Sequence, residues 1–240
     1  MTDIKYKNLD NEELMALLKK EQPEHPIYRS YVGPASRYDF VSAQCFSLLI
    51  SLGLREYHKL LDIGCGSLRN GRLLIPYLNR GNYWGLEPNG WLVNDGIMNE
   101  IGRDMVTIKH PNFVLSDKYD TIPPELDFNY LLAHSVFTHA PLKLVEYWFQ
   151  FANRQLSDNG IFIATFFMDK EDYTGASWVY PGRTTFKIET IRDLASKYGL
   201  FCSQVNWKYH KEQTWWAFSK CNYKFKDDIG WNNPLTPPEL

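Results

Sequence analysis

The stretch "LLDIGCGSLRNGRLLIPYL", Leu60 to Leu78, decides the fold. An apolar run carries Asp62 near its end, Gly64, Gly66 and Gly71 follow, and an apolar-periodic segment begins. That order reads as a strand, a small-residue turn and a helix. A turn of this kind lets a ligand approach the backbone closely at a helix start. The rest of the turn tells which ligand.

Three ligand classes use such a turn, and each makes its own demand. A phosphate-binding loop needs G-x-x-x-x-G-K-[ST], with lysine on the terminal phosphates and a hydroxyl on magnesium. Gly66 and Gly71 have the spacing, but Arg72 and Leu73 follow, and leucine cannot ligate a metal. A dinucleotide fingerprint needs G-x-G-x-x-G, whose third glycine lets the helix pack beside a pyrophosphate. Gly64 and Gly66 fit, whereas Arg69 occupies the third place. The third class keeps the turn and drops the phosphate cradle. Glu87 ends the next apolar run, 21 residues after Gly66, close to the ~20-residue interval at which an acid meets ribose hydroxyls. Adenosine without pyrophosphate matches that pattern, which points to S-adenosylmethionine.

Outward from the turn, the pattern predicts strands at 59–63, 83–87, 112–115, 128–133, 160–167, 201–207 and 213–219. Helices fit at 11–20, 38–53, 71–78, 91–101, 141–155 and 188–198. Alternation of this kind argues for an α/β fold, a mostly parallel sheet with helices on both faces. The last two strands have no helix between them and are expected to form an antiparallel edge hairpin. We expect three parts: a helical lid or cap over 1–56, the ligand-binding domain over 57–220, and a Pro-rich tail over 221–240.

Composition narrows the partners. The 240 residues carry 26 basic and 28 acidic side chains, so no general attraction to nucleic acid or an anionic membrane is expected. Cys45, Cys65, Cys202 and Cys221 have no metal-type spacing, which reads as reduced thiols in a cytoplasmic protein without a metal site. Eight Trp, 15 Tyr and 14 Phe make 15% of the chain. Packing explains many of them, and a surplus in loops suits a pocket for an organic ligand.

"LLDIGCG", "WGLEPN", "LLAHSVFTHA", "NGIFIATFF" and "WVYPG" together resemble the class I S-adenosylmethionine-dependent methyltransferases, in a bacterial branch mostly without an assigned substrate. The resemblance spans roughly 31–219 and implies a Rossmann-like seven-stranded sheet with the last strand inserted antiparallel. It places Asp62, Gly64, Cys65 and Gly66 along the methionine and sugar part of the cofactor, with Glu87 on the ribose diol. Asp117 falls where the family contacts the adenine amino group, although a turn-forming Asp explains it as well. Arg69 is a candidate partner for the methionine carboxylate. Tyr38 and Gln44, on the preceding helix, are candidates to close over the cofactor.

Methyl transfer from a sulfonium is governed by proximity and alignment, so no strict catalytic motif is expected. A hydroxyl acceptor needs a base, and His134 and His139 in "AHSVFTHA" are the candidates. The bland alternative makes His139 a helix-start residue with Thr138 as the cap. Trp178, Tyr180 and Arg183 lie in a long connection suited to an acceptor wall, and Tyr28, Arg29 and Tyr31 in a lid segment on the other side. Asp169, Glu171 and Asp172 read as a solvated acidic loop rather than a magnesium site. The expected acceptor is a small molecule or carbohydrate-like hydroxyl, giving O-methyl transfer. An NAD(P)-dependent oxidoreductase and a cofactor-binding module without transfer activity are the alternatives. The oligomeric state is not legible.

Overall fold

The computed structural model describes residues 9–207 and 213–222; the first eight residues and the expected tail beyond 222 lie outside them. The chain divides into two compact units, one of Leu9–Ile122 and one built on Pro123–Leu240.

The first unit opens with α1, Asn11–Glu21, which starts at a complete capping box. Asp10 accepts from the Glu13 backbone N–H, and the Glu13 side chain accepts from that of Asp10. Two orphan donors of the first turn are thereby satisfied. Leu14 and Leu18, one turn apart, are its buried face. A short α2, Ile27–Ser30, precedes α3, Tyr38–Ser51, which buries Val41, Cys45, Leu48 and Leu49. Strand β1, Leu60–Ile63, is buried at every position, as expected of a parallel strand covered on both faces. It is followed by α4, Gly71–Tyr77; β2, Tyr83–Leu86; α5, Gly90–Gly96; α6, Arg103–Lys109; and β3, Asn112–Val114. The strands lie in the order β3-β2-β1, all parallel, with Leu60 opposite Tyr83 and Ile63 opposite Leu86.

The helix expected over 91–101 is divided: α5 runs into a π-helical turn, Ile97–Ile101. Helix α6 has no counterpart in the sequence reading. It buries no residue, so it carries no apolar stripe for periodicity to detect.

The second unit contains β4, Phe128–Ala133; α7, Leu142–Gln155; β5, Leu156–Met168; β6, Thr185–Phe186; α8, Ile188–Lys197; β7, Phe201–Val205; and β8, Gln213–Ser219. Its order is β4-β5-β8-β7, with β6 beside β5. Strands β4 and β5 are parallel, while β8 is antiparallel to both β5 and β7, so the last strand is inserted antiparallel as expected. Eight strands are described rather than seven, the addition being the two-residue β6. Strand β5 begins earlier than expected. Phe128 faces Leu156 and Tyr130 faces Ile161, so the register shifts across a bulge before the expected start at 160. The fold is α/β and Rossmann-like, with mostly parallel pairing and an antiparallel edge.

Many aromatic residues are core. Phe149, Phe162, Phe166 and Phe218 meet one another edge-on or tilted with centroids 4.7–6.4 Å apart, the arrangement their quadrupoles favour. Among the described residues, no helix is long and apolar enough to cross a membrane.

Candidate active site

The first unit carries every candidate cofactor residue. At the end of β1 the chain turns through Gly64 and Gly66, with φ of 66° and 54°, a region that favours glycine. The Gly64 and Cys65 N–H groups both donate to the Leu86 carbonyl, at 2.8 and 3.1 Å, which ties the turn to the end of β2. An added Cβ on Gly66 would lie 2.7 Å from Val32 Cγ1. The segment after α2 therefore rests directly on the turn. Gly71 has another purpose. A Cβ there would lie 2.9 Å from the Tyr83 hydroxyl, which passes beneath the start of α4 to reach Asp62.

Asp62 is 1% exposed. Its Oδ2 accepts from the Tyr83 hydroxyl at 2.9 Å, and its Oδ1 is buried with no partner. Burial pushes the carboxyl up to about 7, against the opposing pull of the Tyr83 hydrogen bond and the Arg69 charge. Arg69 is 9% exposed. One guanidinium nitrogen, Nη1, donates to the Val32 carbonyl at 2.6 Å, while Nε is buried with no partner. An acceptor lacking a donor and a donor lacking an acceptor thus flank the same turn. Each unsatisfied buried group costs on the order of 1–3 kcal/mol, and such groups call for an explanation.

Glu87, just past β2, is buried. Its Oε2 accepts from the Gly66 N–H at 3.1 Å, and its Oε1 from the backbone and side-chain amides of Asn89 at 2.9 and 2.8 Å. Burial raises its pKa, and those three N–H bonds oppose the rise. A carboxylate offers about four acceptor sites, so one remains after these bonds. Tyr31 stands nearby, edge-on to Trp91 at 5.2 Å, and feels the Glu87 charge. Trp91 escaped the sequence reading, where it appeared only as a helix start.

The other first-unit candidates divide. Cys65 is buried, with Sγ against Gly85. Tyr38 is 1% exposed and donates to the Ser67 carbonyl at 2.8 Å, which braces the turn from behind. Gln44 is buried on α3. Asp117 is exposed after β3. Tyr28 and Arg29 converge on Glu100: the Tyr28 hydroxyl lies 2.9 Å and Arg29 Nε 2.7 Å from Oε1, and Arg72 reaches Oε2 at 3.2 Å. Arg72 also pairs with Asp39 at 2.7 Å. Glu100, placed by the π-helical turn, carried no signal in the sequence.

The second unit holds both histidines. His134 is buried at the end of β4 with its ring 4.7 Å from that of Trp215. His139 lies in the loop before α7 and is not a helix-start residue. The helix begins three residues later behind Pro141 without a side-chain cap, and the Thr138 hydroxyl is buried with no partner. What holds this loop is the connection after β5. Val179 N–H donates to the His139 carbonyl at 3.0 Å, Thr184 N–H to the Thr138 carbonyl at 2.8 Å, and the Thr184 hydroxyl to the Phe137 carbonyl at 3.0 Å.

The same zipper gathers three sequence candidates. The His139 ring is 4.8 Å from Tyr180, edge-on, and 5.7 Å from Trp178. His139 Nδ1 bonds the Gly182 carbonyl. A carbonyl only accepts, so the neutral ring carries its proton on Nδ1 and presents Nε2 as an acceptor. Among the described residues Nε2 has no partner. Burial lowers the imidazole pKa to about 4; the Gly182 bond opposes that shift and the Arg183 charge adds to it. Arg183 lies over the Phe167 ring at 5.0 Å. Within the acidic loop, Asp172 anchors the start of α8. Its two oxygens accept from the Lys187 N–H and the Thr190 hydroxyl, both at 2.7 Å. Among the described residues no cluster of His, Cys, Asp and Glu could hold a metal ion.

This architecture recurs in solved structures. Magnesium protoporphyrin IX methyltransferase from Synechocystis PCC 6803 with bound SAH is 14% identical, over 80% of this chain and 92% of that one, with a TM-score of 0.56. The DhpI–SAH complex is 12% identical over 85% and 93%, at 0.57. An S-adenosylmethionine-dependent methyltransferase from Clostridium acetobutylicum ATCC 824 is 13% identical over 87% and 98%, at 0.55. The chain has the fold of these methyltransferases. No protein-family model matches the sequence.

Proposed function

We propose that the protein is an S-adenosylmethionine-dependent methyltransferase acting on a hydroxyl of a small molecule. One observation carries the reading: the orphaned Asp62 Oδ1 and Arg69 Nε beside the glycine turn. An α-amino acid end supplies both missing partners, its ammonium for Asp62 and its carboxylate for Arg69. A pyrophosphate has no positive group for Asp62. Two structural neighbours are described with SAM or SAH bound, which supports the same cofactor here.

In this reading the chain divides the cofactor among its own residues. Asp62 and Arg69 fix the methionine end, and the Gly64–Cys65–Gly66 backbone allows the sugar and sulfur to approach. Glu87 accepts from the ribose diol through its remaining site, Asp117 meets the adenine amino group, and Tyr38 and Gln44 support the turn from α3. The bound cofactor supplies an activated methyl group on a sulfonium. What the chain must then provide is alignment and removal of the acceptor's proton. His139, with Nε2 unpartnered, is the better candidate base, and His134 is the second. Trp178, Tyr180 and Arg183 form the acceptor wall, with Tyr28, Arg29 and Tyr31 as further acceptor candidates on the 1–56 lid. The protein acts in the cytoplasm.

Calorimetry tests the reading. S-adenosylhomocysteine is expected to bind with micromolar affinity and NADH not at all, and Arg69→Lys is expected to weaken the former by about tenfold or more, the scale of a hydrogen bond to a charged group. Binding of NADH in place of S-adenosylhomocysteine, or unchanged affinity in a folded Arg69→Lys variant, refutes it.

A further inference from the structure

The wall around His139 is specific enough to name an acceptor class. It offers two rings, one nitrogen acceptor and one cation. Trp178 is 37% exposed, a large apolar surface left at the edge of a loop that is otherwise hydrogen-bonded into place. Tyr180 meets the imidazole edge-on, and Arg183 is close enough for its charge to act on that ring. A saccharide presents several adjacent hydroxyls that call for a matching set of polar side chains; beside its rings this wall offers only the Arg183 guanidinium, the Tyr180 hydroxyl and one imidazole nitrogen. A flat ring, by contrast, finds apolar faces to lie against and one lone pair to receive a proton.

We propose that the acceptor is a phenol, or another planar ring bearing an acidic hydroxyl, laid against Trp178 and Tyr180 with its oxygen at His139 Nε2 and under the charge of Arg183. The inference rests on the methyl-transfer reading for its chemistry, although not for binding. In the reaction the acceptor O–H bond breaks and its proton passes to Nε2. The oxygen forms a bond to the methyl carbon as the carbon–sulfur bond breaks, and that bond's electron pair stays on sulfur. The imidazolium then returns its proton to water.

Base strength supports the choice. An imidazole held near 4 is a weak base, and Arg183 opposes its protonation. A phenol, at about 10 like tyrosine, lies roughly 6 units above it, whereas an aliphatic hydroxyl near water's 15.7 lies about 12 above. Arg183, which disfavours the imidazolium, favours the phenolate. The cation lowers the cost of either oxyanion, and the acidic hydroxyl, with the smaller gap to close, is the one a weak base can serve.

The test uses 4-nitrophenol, whose phenol and phenolate forms absorb at different wavelengths, titrated into the full-length protein without cofactor. Saturable binding is expected, with the phenolate band enriched over free dye at the same pH. Trp178→Ala should weaken binding by about tenfold, the scale of one aromatic contact, and Arg183→Leu should abolish the enrichment. Methyl glucoside should not displace the dye. Circular dichroism of each variant establishes that it is folded. No saturable binding, binding indifferent to both substitutions, or displacement by the glucoside overturns the proposal. S-adenosylhomocysteine calorimetry separates the two failures: dye binding without S-adenosylhomocysteine binding sinks the cofactor reading alone, and the reverse sinks this one alone.

Discussion

Replacing Asp62 by asparagine tests the link between the ligand site and the stability of the fold. The carboxyl titrates at about 7 in the folded chain against an ordinary 3.8, and each unit corresponds to 1.36 kcal/mol, so the folded state carries about 4 kcal/mol of linkage at this one residue. Between these values the folded chain keeps a proton that the unfolded chain has released. Stability conferred by that proton is complete below the unfolded value, falls as pH rises, and is gone above the folded value. Asparagine has no proton to lose and can still accept from the Tyr83 hydroxyl. The variant should therefore gain on the parent by up to about 4 kcal/mol between pH ~4 and pH ~8.

His139 works in the opposite direction. Its folded value of about 4 lies below the ordinary 6.5, so the unfolded chain binds the extra proton and stability rises with pH across that window by about 3 kcal/mol. The two windows overlap, and the parent's own pH curve is flattened. The difference between parent and Asp62→Asn cancels the histidine and isolates the carboxyl. Urea unfolding followed by tryptophan fluorescence at several pH values gives both curves. A difference independent of pH would refute the burial argument. Saturating S-adenosylhomocysteine near pH 8 should stabilise the parent and leave the variant nearly unmoved, because only the parent offers the ammonium an anion. More stable and less able to bind is the exchange expected of a strained ligand site.

Two further perturbations probe how the turn is held. Gly66→Ala puts a Cβ 2.7 Å from Val32 Cγ1 at a φ of 54°, and should cost roughly 1–3 kcal/mol of stability; a melting temperature equal to the parent's would show that Val32 does not lie on the turn. Glu100→Ala removes the shared acceptor of Tyr28, Arg29 and Arg72. It should cost about 2 kcal/mol in urea, less than for a fully buried pair, because the arginine side chains keep 25% and 22% of their surface. A loss below about 0.5 kcal/mol, the level of an ordinary surface substitution, would mark the cluster as incidental.

The sequence announced much of the fold because strands such as β1 and β4 are near-continuous apolar runs and the principal helices bury one face, features that the residue order records. Strand β4 and strand β8 fall where the pattern placed them. Helix α6 did not announce itself, since it buries no face. Strand β5 was placed to start only at 160 because the Ser-Asp-Asn before it is polar and largely exposed and carries no apolar pattern.

The site was legible where a local motif carries it. Gly64, Gly66 and Glu87 stand at a recognisable spacing, a turn of positive φ and the acid that accepts from its amide. Val32, Glu100 and Trp91 are set by neighbours distant in sequence, and no spacing rule reaches them. Gly71 shows how the two demands become confused. Its place in the motif invites a comparison with phosphate loops, yet the side chain it makes room for belongs to Tyr83, whose hydroxyl occupies one oxygen of Asp62. With that oxygen satisfied from within, the other is left without a donor, as Arg69 Nε is left without an acceptor, and the proposed cofactor's ammonium and carboxylate would complete the two. In the proposed reading, the same three glycines that look like a phosphate cradle on paper thus help to assemble, in three dimensions, a receptor for a zwitterion.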